Sequence, residues 1–143
     1  MVPRAITNMS ASRSFMAHPA SLADVRTFIR EMGERGDVPL DATTDLLLAV
    51  SEAGTNSVIH SGSGTLEVEW EQRDGRVSVG VRDEGVFRSG GERPDRTSSA
   101  GLGFQLMHAT MDRVMVEPGT NDRPGTVVWL EKSLEDEKVL ESA

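Results

Sequence analysis

The stretch TLEVEWEQRDGRVSVGVRD, residues 65–83, decides the fold. Leu66, Val68 and Trp70 alternate with polar residues, and Val77, Val79 and Val81 repeat the same period of two. Such alternation marks a strand with one buried face. Between the two runs stands Asp74-Gly75, the strongest short signal for a two-residue hairpin turn. The stretch reads as a β-hairpin with one apolar side.

Upstream, a helix is expected from near Asp41, a good capping residue, to about His60, where GSG stops it. At 100° per residue, Asp45, Ala49, Glu52, Asn56 and His60 share one face, and Leu46, Leu47, Val50, Gly54 and Val58 lie on the other side. Residues 21–35 carry Leu22, Val25, Phe28, Ile29 and Met32 at helical spacing, with Ser21 as N-cap. SRSFMA (12–17) is strand-like. Downstream, FRSGGERPDRTSSA (87–100) is rich in Gly, Ser and Arg and reads as a mobile loop, long enough in a small domain to be functional or disordered. A third helix is expected at about 102–111, then strands near 112–118 and 125–132. This order predicts an α+β fold, a two-layer α/β sandwich with helices on one face of a mixed sheet. Residues 12–134 form the domain, between a tail at 1–11 and an acidic extension at 135–143.

The chain has 143 residues, enough for one core, with 37% hydrophobic and 27% charged residues, the balance of a folded soluble domain. No apolar run approaches the ~20 residues needed to cross a bilayer, and the N-terminus has no apolar signal-peptide core. The expectation is a cytoplasmic protein without a membrane partner. With no cysteine, disulfides, zinc–thiolate sites and thiol catalysis are excluded. A net charge of −8 argues against a nucleic-acid surface, where basic residues dominate. The three histidines, His18, His60 and His108, are too scattered for a metal site.

Three clusters bear on chemistry. Glu52 and Asn56 stand four residues apart, side by side on their helix. An amide oxygen suits Mg²⁺, which takes few protein ligands, and a neighbouring carboxylate suits a general base; alone, the pair also fits a plain exposed polar stripe. VRDEG (81–85) ends the hairpin's second strand, where Asp83 can accept the exocyclic amine of adenine and Gly85 lets backbone approach a flat base; alone it is an ordinary turn. AGLGFQLM (100–107) sets Gly101 and Gly103 just before a helix, whose N–H groups favour phosphate. Neither the Rossmann glycine pattern nor Walker A is met.

In combination, E-x-x-x-N on a helix, D-x-G after a hairpin, a loop and then G-x-G at a helix start resemble the GHKL (histidine kinase-like) ATPase superfamily. Within it, DLLLAVSEAGTNSVIHSG, VSVGVRDEG, AGLGFQLMHATMDRV and GTVVWLEKSL resemble the anti-sigma factor serine/threonine kinase family over about residues 12–134. The resemblance implies a Bergerat-type ATP-binding fold with ATP and Mg²⁺ as cofactors. Glu52 is then the catalytic base and Asn56 the Mg²⁺ ligand. Asp83 binds the adenine amine with Gly85 beside the base. Residues 87–100 form an ATP lid, with Gly101, Leu102 and Gly103 at the phosphates. Thr126 supports the water network of Asp83, or serves simply as a strand-forming threonine. The chain departs from the family's D-x-G-x-G pattern, because Val86 and Phe87 follow Gly85. The departure bears on the lid's first hinge more than on the adenine pocket.

The implied partners are a sigma factor, an anti-anti-sigma antagonist phosphorylated on Ser or Thr, and a second copy of the chain in a homodimer. The family uses the first helix for such contacts, which directs attention to Arg26, Arg30, Glu31, Glu34 and Arg35 on its outer side. A nucleotide-binding partner switch without turnover, and an ATP hydrolase, share the same site signature and stay open from sequence.

Overall fold

The computed structural model describes residues 8–61, 64–83, 99–119, 122 and 125–134. Its elements follow in the order β1 (Met9–Met16), α1 (Leu22–Arg35), α2 (Leu40–Ser61), β2 (Thr65–Arg73), β3 (Arg76–Asp83), α3 (Ser99–Thr110), β4 (Arg113–Pro118) and β5 (Thr126–Ser133). The strands form one sheet in the order β1-β2-β3-β5-β4. Helices cover one face of it, as the apolar alternation requires.

The expected mixed sheet is corrected: every described strand pairing is antiparallel. The cause lies in the last two strands. The crossover through α3 brings β4 back parallel to β3, but β5 folds onto β4 and inserts between them. The parallel pair is thereby separated by one strand.

At the central hairpin, Asp74 (φ 54°) and Gly75 (φ 76°) both adopt left-handed backbone. That conformation matches the right-handed strand twist and sets Arg73 opposite Arg76. Both ends of the described chain are fastened there. The Asp74 N–H donates to Asn8 Oδ1 at 3.2 Å, and the Leu134 N–H donates to the Gly75 carbonyl at 2.8 Å.

The core lies between the sheet and the helices. Leu66, Val68, Trp70, Val77, Val79, Val81, Val128 and Leu130 of the sheet meet Val25, Phe28, Ile29 and Met32 of α1, Leu46, Ala49, Val50 and Ala53 of α2, and Met107 of α3. Gln72 joins the layers, its side-chain amide donating to the Gly36 carbonyl that ends α1, at 2.9 Å. On the face away from the described helices the Trp129 ring lies against Gly80. A Cβ at Gly80 would come within 2.7 Å of that ring, so only glycine permits the approach.

Local expectations are revised at three places. The first strand begins at Met9 rather than residue 12, because its pairing with β2 runs out to Gln72. Ser21 makes no side-chain cap and already has helical backbone. A 3₁₀ turn over Pro19–Ser21 precedes α1, and His18 Nδ1 accepts the Ala20 N–H at 3.0 Å, so the cap sits one turn earlier. Finally, α3 starts at Ser99, so Gly101 and Gly103 lie within its first turns and not ahead of it.

Candidate nucleotide site

Asp83 is the last residue of β3 and stands on the helix-covered side, in register with the inward-facing Val77, Val79 and Val81. It is 8% exposed, a severe place for a carboxylate without partners. Thr126, directly opposite on β5, donates its backbone N–H to Asp83 Oδ1 at 3.3 Å. The first residue of the closing strand thus holds the strand-end carboxylate through its main chain. On the other side, Leu66 is the cross-strand neighbour of Asp83.

α2 runs along this face towards that end. A Cβ at Gly54 would lie 4.0 Å from Leu66 Cδ2 and 2.9 Å from Leu22 Cδ2, so the Gly54 side of the helix turns to α1. Asp45, Glu52 and Asn56 lie on the opposite flank. Asp45 marks where that flank points: its Oδ2 is 2.9 Å from Lys132 Nζ on β5, and the same ammonium donates to the Thr110 carbonyl of α3 at 2.9 Å.

The polar stripe read from sequence is therefore a seam between α2 and α3, not an outer face. Ala49 within it is fully buried, and the outward side of α2 instead carries the exposed Thr44, Leu48 and Ile59. Glu52 and Asn56 are both half-buried. The Asn56 Nδ2 atom is buried and has no hydrogen-bond partner. An orphaned amide in such a place is expensive unless a ligand completes it. A 180° flip exchanges its oxygen and nitrogen, so the group can offer either an acceptor to a cation or a donor to phosphate. This donor set fits a Mg²⁺–nucleotide: one amide, one adjacent carboxylate, and no cluster of three or more His, Asp or Glu among the described residues to hold a metal alone.

The structure thus brings Asp83 and Thr126 into contact and sets Glu52 and Asn56 along the seam at the same end of the sheet. Gly101, Leu102 and Gly103 are described as helical backbone; near a helix N-terminus the first N–H groups lack intrahelical acceptors. Gly85 and residues 87–98 of the expected lid lie outside the described residues, as do most of the two tails. Ser99 and Ala100, assigned to the lid, open α3 instead. Sequence reasoning passed over Lys132. Its signal was an ionisable residue at an inward-facing position of the strand TVVWLEKS, two residues beyond the buried Leu130.

The chain matches the model of the histidine kinase-like ATPase domain over residues 15–132. Its sheet and covering helices are thus those of a GHKL-type ATP-binding domain. Among curated relatives, the anti-sigma F factor of Geobacillus kaustophilus is 35% identical over 117 residues, 73% of this chain and 78% of the relative. That of Clostridium botulinum (strain Eklund 17B / Type B) is 33% identical over 124 residues, 76% and 80% of the two chains. That of Bacillus licheniformis is 30% identical over 147 residues, 94% of this chain and 92% of the relative. A crystal structure of the RsbU and RsbW domains of Rv1364c from Mycobacterium tuberculosis superposes with a TM-score of 0.68 at 19% identity. The superposition covers 88% of this chain but 32% of the solved one, and speaks to the fold. The chain belongs to the anti-sigma F factor family of histidine kinase-like ATPases.

Proposed function

We propose that this chain is an ATP- and Mg²⁺-dependent serine/threonine kinase that captures a sigma factor and phosphorylates an anti-anti-sigma antagonist. One observation carries the reading. A buried strand-end carboxylate, Asp83, and the half-buried Asn56, whose Nδ2 is buried without a partner, stand at the same end of one sheet, and a family of ATP-binding domains supplies the ligand that suits both.

In this reading Asp83 accepts the adenine amine while the Thr126 N–H keeps its carboxylate in place. Gly85 leaves room beside the base, and the free N–H groups at the start of α3, ending at Gly101, receive phosphate oxygens, with Leu102 and Gly103 in the turn that follows. Asn56 would hold Mg²⁺, which would supply charge neutralisation and orientation to the terminal phosphoryl group. Glu52 accepts the proton of the antagonist's Ser or Thr hydroxyl as its oxygen attacks the γ-phosphorus and ADP departs. The added phosphate charge then weakens the antagonist's contact surface. The relatives are anti-sigma F factors, which motivates the sigma factor as the captured partner; a homodimer is proposed as the capturing form. Such a partner places the work in the cytoplasm. Among the described residues no helix is long and apolar enough to cross a membrane.

The test is phosphoryl transfer from γ-labelled ATP to a candidate antagonist. Wild type labels the antagonist, and Glu52→Ala retains ATP binding but transfers no label. A labelled antagonist with Glu52→Ala refutes the base. Label released only as inorganic phosphate makes the chain a hydrolase, and no turnover at all makes it a switch that binds without catalysis.

A further inference from the structure

Lys132 is the described residue whose side chain joins the sheet to both α2 and α3 through polar contacts. It stands on the inward-facing register of β5, after Val128 and Leu130. Its ammonium bridges Asp45 Oδ2 of α2 and the Thr110 carbonyl of α3, each at 2.9 Å. The last carbonyls of a helix have no intrahelical donors, and a cation there also complements the negative end of the helix dipole. The same terminus is fastened within α3 and to β5. Thr110 Oγ1 donates to the Leu106 carbonyl at 2.9 Å, and the Asp112 N–H donates to the Glu131 carbonyl of β5 at 2.9 Å.

Apart from the polar Glu52 and Asn56 further along, the described α2–α3 seam is apolar, with Ala49, Ala53 and Met107. Such contacts hold helices together without fixing their axial register, whereas a bridged ammonium does. The bridge also stands at a mechanical advantage. From Thr110 to Gly101 is about 13 Å of helix, and from Asp45 to Asn56 about 17 Å, at ~1.5 Å per residue. A tilt of about 5° at the Lys132 end moves Gly101 by about 1 Å, a displacement known to matter in sites that need near-attack geometry.

We propose that Lys132, with Asp45, is a positioning residue for the nucleotide site. It sets the phosphate-binding start of α3 against the Glu52–Asn56 flank of α2, from the far end of both helices. The proposal rests on the site reading above and adds to it a part that touches no nucleotide. It separates two halves of the site. The adenine half, Asp83 and Thr126, is fixed within the sheet by β3–β5 pairing and is independent of the bridge. The phosphate half is shared between two helices and depends on it.

The experiment compares Mg²⁺–ATP and adenosine binding by calorimetry in Lys132→Met, Lys132→Arg and Asp45→Asn, with Asn56→Ala as control. Lys132→Met keeps the aliphatic stem and removes the charge. The expected result is a loss of Mg²⁺–ATP affinity of about three- to tenfold with adenosine affinity held within about twofold. Lys132→Arg restores most of the loss. Asp45→Asn shows the same selective effect, and the double variant Asp45→Asn/Lys132→Met is no worse than the stronger single one. Equal losses for ATP and adenosine, or no loss for ATP, overturn the proposal. If Lys132→Met fails to fold, the Asp45→Asn comparison decides on the same criteria. The control separates the two layers. Unchanged Mg²⁺–ATP affinity in Asn56→Ala removes the phosphate-site reading and this proposal with it. A clear loss in Asn56→Ala beside none in the folded Lys132 and Asp45 variants removes the positioning role alone.

Discussion

Replacing Asp83 by Asn is the sharpest probe of the adenine half of the site. The side chain is 8% exposed and accepts the Thr126 N–H at 3.3 Å. Asparagine is isosteric, and its amide oxygen can take over the Thr126 contact, so β3–β5 pairing should survive. That choice turns the amide nitrogen towards the base. Where, in the proposed site, the carboxylate accepts a hydrogen bond from the adenine amine, two donors then face each other. Losing a charge-assisted bond of this kind is expected to weaken ATP by about 1.5–3 kcal/mol, or roughly 10- to 150-fold in Kd. Guanine carries a carbonyl oxygen in place of that amine. The same substitution should therefore improve GTP relative to ATP, a change that simple loss of structure would not produce. Calorimetric titration of both nucleotides, with thermal unfolding as the folding control, measures all three quantities. Unchanged ATP affinity in a folded Asp83→Asn protein, or equal losses for ATP and GTP, refutes the assignment of Asp83 to the adenine amine.

Two further expectations concern other faces of the molecule. Gly80→Ala forces a Cβ within 2.7 Å of the Trp129 ring, so the indole must swing away; urea unfolding should show a loss of about 1–3 kcal/mol with ATP affinity retained. On α1, Val25, Phe28, Ile29 and Met32 are buried while Arg30 is exposed and Arg26 half-exposed. Reversing Arg26 and Arg30 to Glu should leave ATP binding and thermal stability near wild type yet weaken homodimerisation or sigma-factor capture. A pull-down and a light-scattering mass that both match wild type would take this helix out of the interface.

The hairpin was legible because every local cue agreed. Alternation fixed the buried face, and Asp74-Gly75 named the turn that the backbone then adopts. The apolar side of α1 was legible for the same reason. Strand neighbours were not, since nothing in residues 112–132 says whether β5 lies inside or outside β4, and that choice made the sheet antiparallel. The stripe on α2 was legible as a set of residues but not as a place. Periodicity puts Asp45, Glu52 and Asn56 on one flank, and the packing of Gly54 against Leu22, with the Lys132 contacts of Asp45 and Thr110, shows which neighbour that flank faces. Asp83 could be singled out by its motif, whereas its hold on the Thr126 main chain follows from cross-strand register. The start of α3 was misjudged because two glycines resemble a loop, yet the helix continues through them.

The fastening of Asn8 and Leu134 to the Asp74–Gly75 turn has an architectural consequence. The described chain enters and leaves the fold at one corner, and Asp83 lies six residue pairs further along the sheet, counted from Gln72–Val77 to Leu66–Asp83. At ~3.3 Å per residue that is about 20 Å of strand. Asn8 and Leu134 are thus held at the end of the central hairpin opposite to Asp83. Grafting a fluorescent domain onto either terminus is a practical use of that arrangement, one that should report on capture without obstructing it.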